Sequence, residues 1–207
     1  IIFNDFVILL ISITLPLVSG VLQLFNFGLM MIWPSTALSL MITYVFLRQK
    51  SVQYDALTGA WRRGSLFDYI KQRNTVCPDD TFGIIYFDLN NLKHINDTFG
   101  HQSGDDAIVS IVKIIKNVIQ KQIIVRMGGD EFIAVIETKY TDELIVIMNR
   151  INDSIGKFNI HQYFPFDISV SMGSDVFDHI KILFDDFLDH VDKLMYQDKM
   201  RYRQVIK

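Results

Sequence analysis

The chain has 207 residues, half of them apolar, with a net charge of −3. That balance excludes a general nucleic-acid-binding surface, which needs a basic excess. The single cysteine, Cys77, excludes an internal disulfide and is compatible with a reducing compartment. It sits before Pro78 in a polar stretch and reads as a loop thiol without a role.

The apolar residues are not spread evenly. Before Arg48 the only charged residue is Asp5. Two apolar stretches, residues 6–24 and 29–47, are each long enough to cross a hydrocarbon core of ~30 Å as a helix. Phe25-Asn26-Phe27-Gly28 reads as the turn between them, with aromatics suited to a membrane interface. Pro16, Gly20 and Pro34 fall inside the stretches, where membrane helices tolerate them. Arg48 and Lys50 follow the second stretch, so the positive-inside rule places what comes next in the cytoplasm. The chain opens on Ile without the basic start of a signal peptide, and the expectation is a fragment with further spans upstream. The domain reading is residues 1–50 as a membrane region with two transmembrane helices and residues 51–207 as a catalytic domain.

From Tyr54 the texture becomes that of a soluble domain. Asp55-Ala56-Leu57-Thr58-Gly59 is a turn, with a helix from about Arg63 to Arg73. Thr81–Asp88 is a nearly continuous apolar run ending in a carboxylate, the pattern of a buried strand. Asn91–Phe99 and Gly104–Gln120 are predicted helices; in the second, Ala107, Ile108, Ile111, Ile114, Ile115 and Val118 recur at helical spacing. Ile123–Met127 and Phe132–Ile136 are strands around Gly128-Gly129, a pair expected to supply the positive φ angles of a tight hairpin. A helix over Thr141–Phe158, a strand over Phe166–Gly173 and a helix over Phe184–Tyr202 complete the order. The fold class is α+β, a mostly antiparallel sheet with helices on one face, preceded by the two transmembrane helices.

The chemistry is expected at the strand ends. Asp88 closes the buried strand, and Asp130 and Glu131 follow the two glycines. If the strand neighbours the hairpin, Asp88 and Asp130 converge as hard oxygen ligands for Mg²⁺, which also binds phosphates. Two such ions activate a hydroxyl and stabilise leaving pyrophosphate. An isolated Gly-Gly-Asp-Glu would read as a solvated tip. Asn96 and Asp105 offer the amide and carboxylate that read a guanine edge; singly, Asp105 reads as a helix cap and Asn96 as a helix end. Lys199 and Arg203, four apart, share a helix face that can hold phosphates or serve as a solvated basic helix end.

These blocks together closely resemble the GGDEF domain of diguanylate cyclases over residues 54–207. The markers are Asp55-x-Leu57-Thr58-Gly59, Phe87-Asp88-Leu89-Asn90-Asn91-Leu92-Lys93-x-Ile95-Asn96-Asp97, Gly100-His101-x-x-Gly104-Asp105, Arg126-x-Gly128-Gly129-Asp130-Glu131-Phe132, Ser169-Val170-Ser171-x-Gly173 and Asp192-Lys193-x-Met195-Tyr196-x-x-Lys199. The N-terminal part loosely resembles the end of a seven-helix membrane input region. The resemblance implies a sheet like that of nucleotidyl cyclases and polymerase palms, and condensation of two GTP into cyclic di-GMP. It implies a homodimer with two Mg²⁺ (or Mn²⁺) per half-site, on the cytoplasmic face of a membrane. It assigns metal to Asp88, the Leu89 carbonyl, Asp130 and Glu131. Catalysis falls to Asp130, Glu131 and Lys93, and substrate binding to Asn96, His101, Asp105, Lys199 and Arg203. An inactive GTP-binding or regulatory domain is the alternative, and a cyclase using ATP is another. The chain departs from the pattern at Arg62-Arg63-Gly64, where Asn-Arg-Arg is usual, and at Tyr202-Arg203-Gln204, where Gly-Arg-Asn is usual. It carries Ile119 and Gln122 where relatives have the Arg-x-x-Asp product-inhibition site, so no such site is expected.

Overall fold

The computed structural model describes residues 2–25, 30–76, 81–178 and 182–205. The expected turn at Asn26–Gly28 and the Cys77 loop lie outside the described residues. The chain divides into two compact units, Ile1–Gln53 and Tyr54–Lys207.

The first unit is two helices, α1 (Ile2–Phe25) and α2 (Ile32–Gln53). Its packing is inverted relative to a water-soluble hairpin. Ser12, Ser19 and Ser39 are buried, and the Ser39 hydroxyl donates to the Ser12 carbonyl. The Ser19 and Ser35 hydroxyls also meet, at 2.5 Å. Leu17, Val18, Leu24, Leu40 and Met41 instead stand exposed. The two expected transmembrane stretches are thus helical. Yet among the described residues no helix is long and apolar enough to cross a membrane.

The second unit is a five-stranded sheet in the order β1-β3-β4-β2-β5. The strands are β1 (Trp61–Arg62), β2 (Thr81–Leu89), β3 (Ile123–Arg126), β4 (Glu131–Ile136) and β5 (Val170–Asp178). The helices are α3 (Arg63–Val76), α4 (Leu92–Phe99), α5 (His101–Ile119), α6 (Thr141–Ile160) and α7 (Phe184–Val205). All pairings are antiparallel except β1 with β3.

Helices cover both faces of the sheet, not one as expected. Phe82, Ile84 and Tyr86 pack with Leu66 of α3 and with Val191 and Met195 of α7. Ile85, Phe87 and Leu89 pack with Ile111 and Ile115 of α5 and Ile151 of α6. This is why β2 is apolar at nearly every position: a strand buried on both faces has no polar alternate.

Three boundaries differ for local reasons. The two-residue β1 carries too short a pattern to be read. α5 begins three residues early because Gly100, at φ 87°, makes the whole break between α4 and α5. β5 starts four residues later than expected. Before it, the Asn159 side chain takes both the N–H and the C=O of Ile168, while Phe164 and Phe166 stack on each other. Those aromatics build a side cluster instead of a ladder.

Candidate functional site

The site grows from the strand register. In the β2–β4 pairing, Asp88 stands opposite Glu131, so both side chains leave the same face of the sheet. The face is that of Ile84 and Tyr86, on which α7 lies. Glu131, rather than Asp130, is therefore the cross-strand partner of Asp88. Asp130 comes alongside through the turn, where its backbone carbonyl accepts from the Leu89 N–H at 3.1 Å.

The turn is not the expected tight one. Met127–Asp130 forms a four-residue link, and the described positive-φ glycines are Gly59 and Gly100, neither in the hairpin. Arg126 holds it instead. Its Nε donates to the Gly128 carbonyl at 3.1 Å and its Nη2 to the Gly129 carbonyl at 2.7 Å. Its Nη1 reaches Asp55 at 2.9 Å, tying the hairpin to the Asp55–Gly59 turn. Burial alone would raise the Asp55 carboxyl, but the bonds from Thr58 and Arg126 outweigh it and hold it below the ordinary range. A depressed acid stabilises the fold above its unfolded value, about pH 3.9, and loses that contribution as pH falls through its folded value. The expected result is that wild type loses more thermal stability between pH 5 and pH 3 than Asp55→Asn does, read by melts at the two pH values.

Asp88 is 4% exposed and does not stand free. The Lys199 Nζ from α7 donates to both of its carboxylate oxygens at 2.6 Å. Lys199 is thus engaged by a strand-end acid while it also lines the neighbouring cleft. Burial still raises the Asp88 carboxyl above the ordinary range; Lys199 pulls the other way and the Asp130 charge adds to the rise. Glu131 is raised too, by burial first and then by Asp130, Asp88 and Asp192, against a bond from the Tyr86 hydroxyl at 3.2 Å. Tyr86 itself is pushed up by burial and by the charges of Glu131 and Asp192. The site therefore carries surplus negative charge at the edge of a buried face.

Beside it lies a cleft of about 390 Å³ lined by Leu89, Lys93, Asp130, Lys199, Tyr202 and Arg203, among others. The structure thus gathers the predicted Leu89, Lys93, Asp130, Lys199 and Arg203 around one opening. Asp88, Glu131, Asn96, His101 and Asp105 do not line it. Asp105 does not cap α5, which starts at His101; it sits in the second turn. Asn96 of α4 packs against Gly104 of α5: a Cβ at Gly104 would fall 1.9 Å from its Oδ1. α4 and α5 thus approach through Gly104, which brings Asn96 and Asp105 into one neighbourhood. Where no product-inhibition site is expected, Ile119 is a core residue and Gln122 accepts from the Glu137 N–H at 3.3 Å.

Tyr86, Asn90, Asp192 and Tyr202 were missed. Asn90 is 3% exposed and binds Ser169 and Ser171, which fixes the chain just past Asp88. Its signal was available: two residues beyond Asp88, it shares that face. Tyr202 receives the Asn91 amide at 3.5 Å.

Asp88, Asp130 and Glu131 suit Mg²⁺ as a donor set: hard carboxylate oxygens, mutually repelling, one already neutralised by an ammonium standing in for a cation. The fit is by chemistry and not by a preformed cage. Among the described residues no group of three or more His, Cys, Asp or Glu side chains is arranged to hold a metal ion.

Comparison with known proteins decides the family. The model of the diguanylate cyclase GGDEF domain matches residues 52–204. The chain belongs to the GGDEF family. Among curated relatives, an uncharacterized membrane protein of Staphylococcus haemolyticus is 25% identical over 167 residues, 75% of this chain and 47% of that protein. The probable diguanylate cyclase DgcI of Escherichia coli is 35% identical over 109 residues, 51% of this chain and 24% of that protein. The chain thus spans about half or less of the length of these relatives. Among solved structures, the coiled coil and GGDEF domain of DgcB from Caulobacter crescentus, in complex with c-di-GMP, has a TM-score of 0.69 at 18% identity, covering 81% of this chain and 91% of that one. The active GGEEF domain of a diguanylate cyclase from Vibrio cholerae has a TM-score of 0.59 at 25% identity, covering 69% and 92%. The GGDEF fold of the second unit stands on these likenesses together with the family match.

Proposed function

We propose that the chain is a diguanylate cyclase that joins two GTP into cyclic di-GMP and releases two pyrophosphates. The observation that carries this reading is the register of Asp88 against Glu131, with Asp130 alongside, at a cleft lined by Lys93, Lys199 and Arg203. Asp130 lines that opening together with the bases that meet a triphosphate, and Asp88 is linked to it through Lys199. Mg²⁺ bound there supplies Lewis-acid polarisation of the α-phosphate and a more acidic ribose hydroxyl. Asp88, Asp130 and the Leu89 carbonyl hold it, and Glu131 assists at the metal or takes the hydroxyl proton. Lys93, Lys199 and Arg203 bind phosphate charge. Asn96 and Asp105, with His101 nearby, take the guanine. Each 3′-hydroxyl attacks the α-phosphorus of the other GTP, so two half-sites must face each other and the active species is a homodimer. The proposal includes no product inhibition through Ile119 and Gln122.

We place this enzyme at a membrane with its second unit in the cytoplasm. The support is the inverted packing of α1 and α2, serines inside and apolar side chains outside, the pattern of helices that meet lipid. The relatives named membrane proteins agree.

The deciding experiment gives the full chain, in lipid, GTP and Mg²⁺. The expected products are one cyclic di-GMP per two pyrophosphates, with ATP unused. Asp130→Ala lowers turnover at least about 100-fold, the scale for losing one stabiliser of transition-state charge. Unchanged turnover in that variant, or intact GTP with wild type, rules the reading out.

A further inference from the structure

Lys199 does something in this structure that binding phosphate does not require. Its ammonium donates to both oxygens of Asp88 at 2.6 Å, with only 18% of the Lys199 side chain and 6% of the Asp88 side chain exposed. The ammonium sits on the edge shared by the two carboxylate oxygens, so a second cation cannot chelate Asp88 through that edge while the pair persists, and at the outer lone pairs it meets the repulsion of the ammonium. Lys199 also lines the cleft together with Lys93 and Arg203, so the same side chain can turn toward a polyphosphate there. The alternatives compete, because two of the three N–H donors of the ammonium go to Asp88 and only one is left for phosphate while the pair persists.

We propose that Lys199 is an exchangeable lock on Asp88, released only by a polyphosphate, so that the divalent cation enters with the nucleotide and not before it. This rests on the cyclase reading and adds an order of binding to it. The physics is competition between two cations for one buried acid. In the nucleotide-free protein Lys199 offsets the charge of Asp88, which a buried acid needs. A triphosphate offers Lys199 several anionic oxygens in a solvated cleft. Its departure then leaves Asp88, Asp130 and Glu131 with uncompensated charge as the metal arrives. An isolated metal must displace the ammonium into water, without the attraction of a polyphosphate. The device keeps the site from filling with metal when no substrate is present.

The test uses the full chain without nucleotide and Mn²⁺ as the probe, followed by the paramagnetic signal of the free ion. Lys199→Met removes the competing charge and keeps an unbranched chain. Its affinity for Mn²⁺ alone should rise at least about tenfold over wild type, the scale on which neighbours of a metal ligand tune affinity. Its affinity for a non-hydrolysable GTP analogue should fall. Lys199→Arg keeps the cation against Asp88 and should bind Mn²⁺ alone no better than wild type. Equal Mn²⁺ affinity in Lys199→Met and wild type overturns the lock. So does a tenfold gain in Lys199→Arg, which also answers the question if the Met variant fails to fold. Cyclase turnover is scored separately. A wild type that makes no cyclic di-GMP while Lys199→Met gains Mn²⁺ removes the cyclase reading and keeps the lock; the reverse outcome removes the lock alone.

Discussion

Asp88→Asn is expected to abolish cyclic di-GMP synthesis while leaving the protein at least as stable as wild type at neutral pH. The two halves of that result come from one environment. Asp88 is buried at the rim of β2, next to Glu131 in register and Asp130 across the turn. Two interactions oppose each other there: Lys199 bonds both oxygens, yet burial and Asp130 still raise the carboxyl. A raised acid contributes stability that is complete below its unfolded value and shrinks as pH rises through the folded value. At neutral pH the ionised Asp88 is therefore a net cost, and an amide of the same shape removes it. The amide keeps one oxygen for Lys199. It cannot supply the charge that a divalent ion and a developing pyrophosphate require, so turnover should fall about 1000-fold, the upper range for losing one electrostatic stabiliser. Melting curves and pyrophosphate release on the same sample check both halves. A variant that loses activity and unfolds together would show Asp88 to be a structural ion-pair member.

Much of the second unit was legible because its signals were local. The apolar run of β2 announced a buried strand, and its lack of a polar alternate pointed to helices on both faces, though one face was expected. The helical spacing in α5 named its core residues Ile111 and Ile115. Which acids meet was not local. Asp88 and Glu131 pair through the β2–β4 register, and register is a property of two strands rather than of either. The Lys199–Asp88 bond spans 111 residues, so the spacing of Lys199 and Arg203 gave the shared helix face but not what it looks toward. The hairpin glycines invited the usual turn argument. The chain instead spends the Arg126 guanidinium on the Gly128 and Gly129 carbonyls, a bond that no dipeptide rule contains. In the first unit the serines at positions 12, 19 and 39 carry no signal in the order of residues. In space they form the seam between the helices, which the linear pattern does not display.

Gly173→Ala is expected to be the most destabilising single-methyl change in the second unit. Gly173 lies on β5 opposite Tyr86 of β2, and α7 crosses directly over it. A Cβ there would lie 2.3 Å from the Met195 N and 2.5 Å from the Val191 carbonyl oxygen. Both atoms are helix backbone, so no rotamer can yield; α7 must shift as a body or the sheet must bend. The comparison with Gly83 isolates the point. Its Cβ would also approach to 2.5 Å, but against the Leu144 Cδ2, the end of a flexible side chain that can move. Overpacking a rigid contact costs about 3 kcal/mol or more, against about 1 kcal/mol where a side chain gives way. At about 2–4 °C per kcal/mol for a unit of this size, Gly173→Ala should melt roughly 6–12 °C below wild type and Gly83→Ala only a few degrees below. The displacement also reaches the site. Lys199 is one helical turn beyond Met195 on α7, so a shift there moves its ammonium off Asp88. Gly173→Ala protein kept folded at low temperature should therefore show weakened GTP binding, whereas Gly83→Ala should bind as wild type does. Equal melting temperatures for the two variants would mean that α7 rides loosely on β5, and the placement of Lys199 over Asp88 would then need a different support.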